Sequence, residues 1–323
     1  MDLSSSIKQF GQLVNEANHI LLVQPDKLDT DSIASSLGLK RIFEKLGKKT
    51  SAFSAKDVSE SLKYIPGWKE FNKELPREFD LAVLVDGAPQ RELVEDYKNI
   101  FSEKPFVHFD HHSERPTFPF IVVEVVDSKA SATGELLYQV AEELNWPLDK
   151  EIGDLIGFSI MLDTVYFTSS SMRPRTFATL AKISDLGVNI AELFREDMEV
   201  SGYDLDLLQY KGKLIKRIEL HEGGKIAFLA IPKKEAQKYE DKLRPMDLII
   251  YDMQRLKGVD IALVLTEEKD GIKGSMRADL PIAGKVAKYF KGGGHDVAAA
   301  FFIKGGSLEK VKGEVIEVIK SLI

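Results

Sequence analysis

The chain has 323 residues, 44% of them hydrophobic and 29% charged, with a formal net charge of −7. This balance belongs to a globular protein long enough for two ordinary domains and excludes a mostly disordered one. There are no cysteines and only six histidines, so disulfides, thiolate metal sites and cysteine nucleophiles are excluded, and any metal must be held by nitrogen and oxygen.

The N-terminus, MDLSSSIKQFGQL, lacks a basic segment followed by an apolar one, and no run approaches the ~18 apolar residues of a membrane span. A cytoplasmic protein without a membrane partner is expected. The first 215 residues carry a net charge of −11 and the remainder +4. A surface for long duplex nucleic acid is normally strongly basic, so that class of partner is disfavoured. A small anionic ligand is compatible, provided that cations neutralise the acidic part.

In chain order, Ile20 to Val23 reads as a strand and Ser32 to Leu46 as a helix with apolar residues at helical spacing. Asp80 to Asp86 is a second strand, and Phe106 to Phe109 a third that ends on Asp110-His111-His112. The apolar segment Ile156 to Leu162 ends on Asp163. This alternation predicts an α/β fold around a largely parallel sheet. Lys225 to Ile231 and Asp260 to Leu265 then read as strands, Asp270-Gly271 marks a tight hairpin into Lys273 to Arg277, and Gly292 to His295 precedes a strand from Ala298. The expected domains are a catalytic parallel-sheet domain over 1–200, a helical linker over 201–215 and a smaller mixed α/β substrate-binding domain over 216–323.

Asp29-Thr30-Asp31, Asp86, Asp110-His111-His112 and Asp163 share one placement, at or just past the C-terminal end of an apolar segment. Ligands of open α/β sheets bind outside the carboxyl ends of the strands, so these groups can converge. Crowded carboxylates repel unless protonated or bound to cations, and with imidazole added the fitting cation is a divalent metal. Taken singly, Asp29 and Asp31 also read as a helix N-cap pair, and Asp86 as the start of a turn.

With DTDSIASSLGL (29–39), LAVLVDG (81–87), HFDHH (108–112), SKASATGELLYQV (128–140), GFSIMLDTVYFTSSSMRPRT (157–176) and GSMRADLPIAGKVAKYFKGGGHDVAAAFF (274–302), the chain resembles the DHH phosphoesterase family over essentially its whole length. Size and motif order resemble most the branch of bacterial nanoRNases and pAp phosphatases. The resemblance implies metal-dependent hydrolysis of short single-stranded oligonucleotides, dinucleotides or 3′-phosphoadenosine 5′-phosphate, with one or two Mn2+ ions (Mg2+ or Co2+ in their place), and it is compatible with a homodimer. Asp31, Asp86, His111 and Asp163 would hold one ion, and Asp29 with the shared Asp86 would serve a second. Asp29 and His112 would be catalytic. Ser275, Arg277, Gly292, Gly293, Gly294 and His295 would bind the rest of the substrate.

One position departs from the family, which has a histidine ligand four residues before the first Asp of its DxD pair. Here that residue is Pro25, so the first metal site is weakened, restored by Asp26 or Gln24, or lost. Two alternatives therefore stand beside hydrolysis of nucleotides: a catalytically impaired nucleotide sensor, and a family-II-like inorganic pyrophosphatase.

Overall fold

Ile20 to Val23 are all apolar, so β1 (His19–Val23) has no face to offer solvent, and it is buried throughout. Its first amides, of Asn18 and His19, donate to Asp80 at 2.8 and 2.9 Å. That carboxylate ties the start of β1 to the start of β4 (Leu81–Val85), which is equally buried. A computed structural model describes residues 2–25, 27–88, 104–112, 118–239 and 244–323. The chain divides into two units, Met1–Gly202 and Tyr203–Ile323.

The first unit adds β2 (Lys49–Phe53), β3 (Phe71–Asn72), β5 (Phe106–Asp110) and β6 (Ile121–Val126) to a six-stranded sheet of order β3-β2-β1-β4-β5-β6. Every pairing in it is parallel. The order reverses between β1 and β4, and this switch point opens a crevice at the carboxyl ends of the strands. Helices α1 (Leu3–Glu16), α2 (Thr30–Lys45), α3 (Thr133–Glu143) and α4 (Lys150–Asp163) share the main core with one face of the sheet. Phe10, Phe43, Phe109 and Trp146 meet there at ring-centroid separations of 5.6 to 6.2 Å. Leu21, Val23, Phe53, Phe79, Ala82, Leu84 and Phe106 form a smaller cluster. Helices α5 (Pro174–Asp185) and α6 (Ile190–Ser201) complete this unit.

Close approach of α3 to α4 depends on Gly134. A Cβ there would stand 2.3 Å from Ser159 Oγ and 2.7 Å from its Cβ, and the Gly134 amide donates to that hydroxyl at 2.8 Å. This contact brings two helices together beside the crevice and leaves no room for a side chain.

The second unit opens with α7 (Leu205–Ile215), which lies over the expected linker and sends Leu207, Tyr210 and Leu214 into that unit's own core. There follow β7 (Glu219–His221), β8 (Ile226–Ile231), α8 (Lys233–Tyr239), α9 (Ile250–Gln254), β9 (Ile261–Glu267), β10 (Gly271–Ala278), α10 (Ala283–Tyr289), β11 (Gly293–Gly294), β12 (Ala298–Lys304) and α11 (Leu308–Lys320). The sheet order is β11-β12-β10-β9-β8-β7, parallel between β8 and β9 and antiparallel elsewhere. Asp270-Gly271 does turn β9 into β10 as a hairpin. The architecture is thus a parallel-sheet α/β unit followed by a smaller mixed α/β unit, as the alternation of apolar runs predicts. Among the described residues no helix is long and apolar enough to cross a membrane.

Candidate metal centre

Three of the four acidic clusters leave the carboxyl ends of neighbouring strands β1, β4 and β5. Asp31 lies in the first turn of α2 after β1, and it is 3% exposed. Asp86 follows β4 with a φ of 63°, the left-handed region that aspartate tolerates better than most residues. That turn is held by His108, fully buried, whose Nε2–H donates to the Gly87 carbonyl at 2.8 Å. The fourth acid, Asp163, is brought by a helix and not by a strand: it is the last residue of α4. A carboxylate at a helix C-terminus faces the negative end of the macrodipole, a placement that needs a compensating cation. The three residues after Thr164 (Val165, Tyr166 and Phe167) are also left-handed, with φ of 50°, 54° and 66°. Tyr166 anchors this segment by donating to the buried Asp197 at 2.6 Å, and Asp197 also bonds Tyr64, whose hydroxyl meets Thr30 at 2.9 Å. One carboxylate thereby tethers both the segment after Asp163 and the residue between Asp29 and Asp31.

His111 sits at the middle of these groups. Its Nδ1–H donates to the Ala130 carbonyl at 3.3 Å, which turns the Nε2 lone pair inward. Among the described residues Nε2 is buried without a hydrogen-bond partner, 3.5 Å from Asp31 Oδ2, 3.5 Å from Asp163 Oδ2 and 3.8 Å from Asp86 Oδ1. Asp31, His111 and Asp163 can each offer one ligand atom within 4.8 Å of the others, and so can Asp86, His111 and His112. His112 donates from Nδ1 to Asp110 Oδ1 at 2.8 Å and faces Asp86 Oδ1 at 3.4 Å. Asp110 thus orients the second histidine and contributes to neither group.

The electrostatics of this cluster are those of a cage made for a cation. Burial, followed by the charge of Asp31, pushes both Asp86 and Asp163 up to about 7. Hydrogen bonds to Asp110 and Asp86 raise His112 to about 11. Burial works against ionising Asp110, but the His108 imidazole 3.4 Å away and the hydrogen bond from His112 outweigh it and hold that carboxyl far below its usual range. An inward imidazole lone pair with no partner, ringed by carboxylates of the N and O donor class, fits a divalent ion.

Residues 19–160 match the DHH family, N-terminal domain, and residues 241–323 match the DHHA1 domain. The chain carries the DHH family's N-terminal domain followed by a DHHA1 domain. The bifunctional oligoribonuclease and PAP phosphatase NrnA of Thermus thermophilus is 26% identical over 304 residues, 90% of this chain and 86% of that protein. The Bacillus subtilis protein of the same name is 24% identical over 283 residues, 87% and 88% respectively. Among solved structures, an exopolyphosphatase-related protein from Bacteroides fragilis shares the fold with a TM-score of 0.87 at 22% identity, covering 98% of this chain and 97% of that one. RecJ of Thermus thermophilus in complex with Mn2+ gives 0.55 at 16% identity, covering 99% of this chain and 55% of that one.

Not every residue expected at this DHH centre is brought into it. Asp29 belongs to neither three-ligand group: its Oδ1 accepts the Ser32 amide at 2.9 Å, and Ser32 Oγ accepts the Asp29 amide at 3.1 Å, a reciprocal cap on α2. Burial and the charge of Asp31 raise its carboxyl. Gln24 turns its amide onto Ser36 Oγ at 2.5 Å, and Asp26 lies outside the described residues. In the DHHA1 unit, Ser275 is 5% exposed and Arg277 lies over the Tyr251 ring at 5.5 Å. The glycine run has a backbone reason: a Cβ at Gly292 would meet Ala300 O at 2.3 Å, and one at Gly294 would meet Ala299 Cα at 2.5 Å. Gly293 has open space around it and His295 is exposed.

Three hydroxyl residues supporting the centre escaped the sequence reading. The Thr133 amide donates to Asp31 Oδ2 at 2.8 Å and its hydroxyl to Asp86 Oδ1 at 3.1 Å, while Asp31 Oδ1 accepts from Ser159 at 2.6 Å and from Ser35 at 2.9 Å. The loop that carries Thr133 is itself pinned by Glu135, fully buried in its side chain, which accepts from Ser131, Thr176 and Arg175. A helix start ahead of an apolar run was the only local signal. Thr133→Val keeps the shape and removes the hydroxyl bond to Asp86; it is expected to weaken Mn2+ binding by about 10–100-fold, read by titration calorimetry, with an unchanged fold. Unaltered affinity would mean that the hydroxyl does not orient this carboxylate.

Proposed function

We propose that this DHH protein hydrolyses short oligonucleotides, dinucleotides or 3′-phosphoadenosine 5′-phosphate, and that its cofactor is divalent, Mn2+ first. The observation that carries the reading is the orphaned, buried Nε2 of His111 ringed by Asp31, Asp86 and Asp163. The oligoribonuclease and PAP phosphatase activities for which the Thermus and Bacillus relatives are named support the substrate class. Asp31, Asp86, His111 and Asp163 are the residues that would hold the ion. When bound, such an ion supplies Lewis acidity toward a phosphoryl oxygen and lowers the pKa of water.

The chain's own groups divide the remaining work. His112, held cationic by Asp110 and half-exposed, donates a hydrogen bond to the reacting phosphate or a proton to the leaving oxygen. The Oδ2 of Asp29 is not used by the α2 cap, and its raised affinity for protons suits it to accept one from water. In the second unit, Arg277 is assigned to a non-reacting phosphate, which its planar fork can grip with two bonds. Gly293 and His295 are assigned to the same part of the substrate.

The test is an assay on 3′-phosphoadenosine 5′-phosphate and di- to pentanucleotides, with Mn2+, Mg2+, Co2+ and Zn2+ compared. Arg277→Ala is expected to raise KM for dinucleotides by about tenfold or more while sparing bis-p-nitrophenyl phosphate, which has no second phosphate to grip. Equal losses on both would remove Arg277 from substrate recognition. A second reading, a nucleotide sensor without turnover, is favoured by Pro25 and by the engagement of Asp29 as a helix cap. Tight nucleotide binding by calorimetry with no product under any of the four metals would establish it.

A further inference from the structure

On one face of β10, Lys273, Ser275 and Arg277 alternate with the core residues Ile272 and Met276. Alternation along a strand spaces such residues about 6–7 Å apart, so Lys273 stands about 13 Å from Arg277 on the same face. At the Lys273 end lies a cavity of about 530 Å³, bounded by β9, β10, α8 and the segment from Arg244 to Met246.

Its chemistry is that of an anion site with an apolar wall. Ser275, 95% shielded from solvent, lines the floor beside Thr266, and neither hydroxyl has a hydrogen-bond partner among the described residues. Neither oxygen is among the fully buried polar atoms left without a partner, so both hydroxyls are reached from the cavity and are open to a ligand. Lys233, Lys269 and Lys273 surround the floor, and none is ion-paired among the described residues. Arg244 spends its Nε on Asp247 at 2.7 Å, and its terminal nitrogens have no partner among the described residues. Two carboxylates also line the cavity, of which Glu267 takes the Lys233 amide at 3.1 Å, so cations outnumber acids. Pro245 and Met246 supply buried apolar surface. Unpaired ammonium groups, free hydroxyls and an apolar wall in one cavity match a nucleoside phosphate.

Resting on the proposed function, we infer that this cavity is a distal nucleotide subsite: Arg277 takes one phosphate of the oligonucleotide, and Lys233 and Lys273, with Ser275, take a phosphate farther along the same chain. The strip Arg277–Ser275–Lys273 follows the sugar-phosphate backbone, and the cavity sets a preference for substrates longer than a dinucleotide.

Titration calorimetry of the full chain in EDTA reads binding without turnover. For the double variant Lys233→Glu/Lys273→Glu, the dissociation constant of 5′-phosphorylated tetraadenylate is expected to rise about tenfold or more, with its salt slope reduced by about 1–2. Adenosine 3′,5′-bisphosphate, too short to reach the cavity, is expected to lose much less. Lys257→Glu/Lys310→Glu makes the same charge change elsewhere on this unit and serves as the control. Equal weakening of both ligands, no weakening of either, or the same loss in the control overturns the subsite. If the length contrast appears but no oligonucleotide is cleaved with any metal, the subsite stands and the hydrolytic reading falls. Cleavage without the contrast does the reverse.

Discussion

His111→Ala is expected to remove divalent-ion binding at the centre and to lower dinucleotide hydrolysis by at least about 1,000-fold. Among the described residues His111 is the one shared by both three-ligand groups, and its Nε2 lies within 3.8 Å of carboxylate oxygens from Asp31, Asp86 and Asp163. Deleting the ring takes away the sole nitrogen ligand of the Asp31–His111–Asp163 group and leaves carboxylates of like charge facing one another. Those carboxylates then relieve the repulsion by taking up protons, which competes with metal. His112→Ala should behave differently: it leaves the Asp31–His111–Asp163 group intact, so Mn2+ is expected still to bind while turnover falls. Electron paramagnetic resonance of bound Mn2+ beside steady-state rates separates the two variants. Full activity in His111→Ala, or loss of the Mn2+ signal in His112→Ala alone, would mean that the two histidines have been assigned to each other's roles.

How much of this was legible in advance depended on the range of the interactions. Strands β4 and β5 are apolar-rich and closed by Asp86 and Asp110, and β1 leads into Asp29 and Asp31 at the start of α2, so local pattern and the switch-point rule together point to the crevice. The residues next to those strand ends are the ones the structure brings together. Asp163 was legible as the end of an apolar segment, but its helical origin was not, because a short apolar run reads alike in a buried helix and a buried strand. The supporting hydroxyls were not legible at all. Thr133 meets Asp31 across 102 residues of sequence and Asp86 across 47, and Ser159 meets Asp31 across 128. Each is an ordinary helix residue until tertiary packing sets it against a carboxylate. Asp29 illustrates the opposite case, where a motif carries two meanings. In this structure its Oδ1 serves the capping of α2, which the Asp-x-x-Ser spacing itself encodes. The run Gly292 to Gly294 is similarly divided: two of its members make room for β12, and only Gly293 is free to meet a ligand.

Without metal, the first unit is expected to lose stability as pH rises from 5.5 to 8, contrary to the usual behaviour of ion-paired acids. Asp86 and Asp163 are pushed up to about 7 by burial and by Asp31, against about 3.9 for an aspartate in the unfolded chain. A raised folded-state pKa means that the fold binds protons which the unfolded chain releases. The resulting stabilisation is complete below about pH 4 and disappears as pH climbs through 7. His111 acts in the same direction, since Asp31, Asp163 and Asp86 outweigh its burial and raise it above the ordinary imidazole range. His112, raised to about 11, adds to the fall in the upper part of this window: the unfolded imidazole releases its proton above about 6.5 while the folded one keeps it, so its contribution is complete below that pH and declines as pH rises toward 11. The depressed Asp110 loses its own contribution only below about pH 4, outside this window. A fall in Tm of about 5–10 °C between pH 5.5 and 8 is therefore expected in EDTA. Both tryptophans, Trp68 and Trp146, lie in the first unit, so intrinsic fluorescence reports this transition separately from the second unit. Saturating Mn2+ reverses the trend, because it displaces those protons: stabilisation of about 5–10 °C at pH 8 is expected, and much less at pH 5.5. Calorimetry in buffers of different ionisation enthalpy should count the released protons, about one to two at pH 6.5 and fewer at pH 8. An EDTA-treated protein whose Tm is flat or rises over this range, with no proton release on Mn2+ addition, would show that the carboxylates are already ionised and that no cation is needed to hold them together.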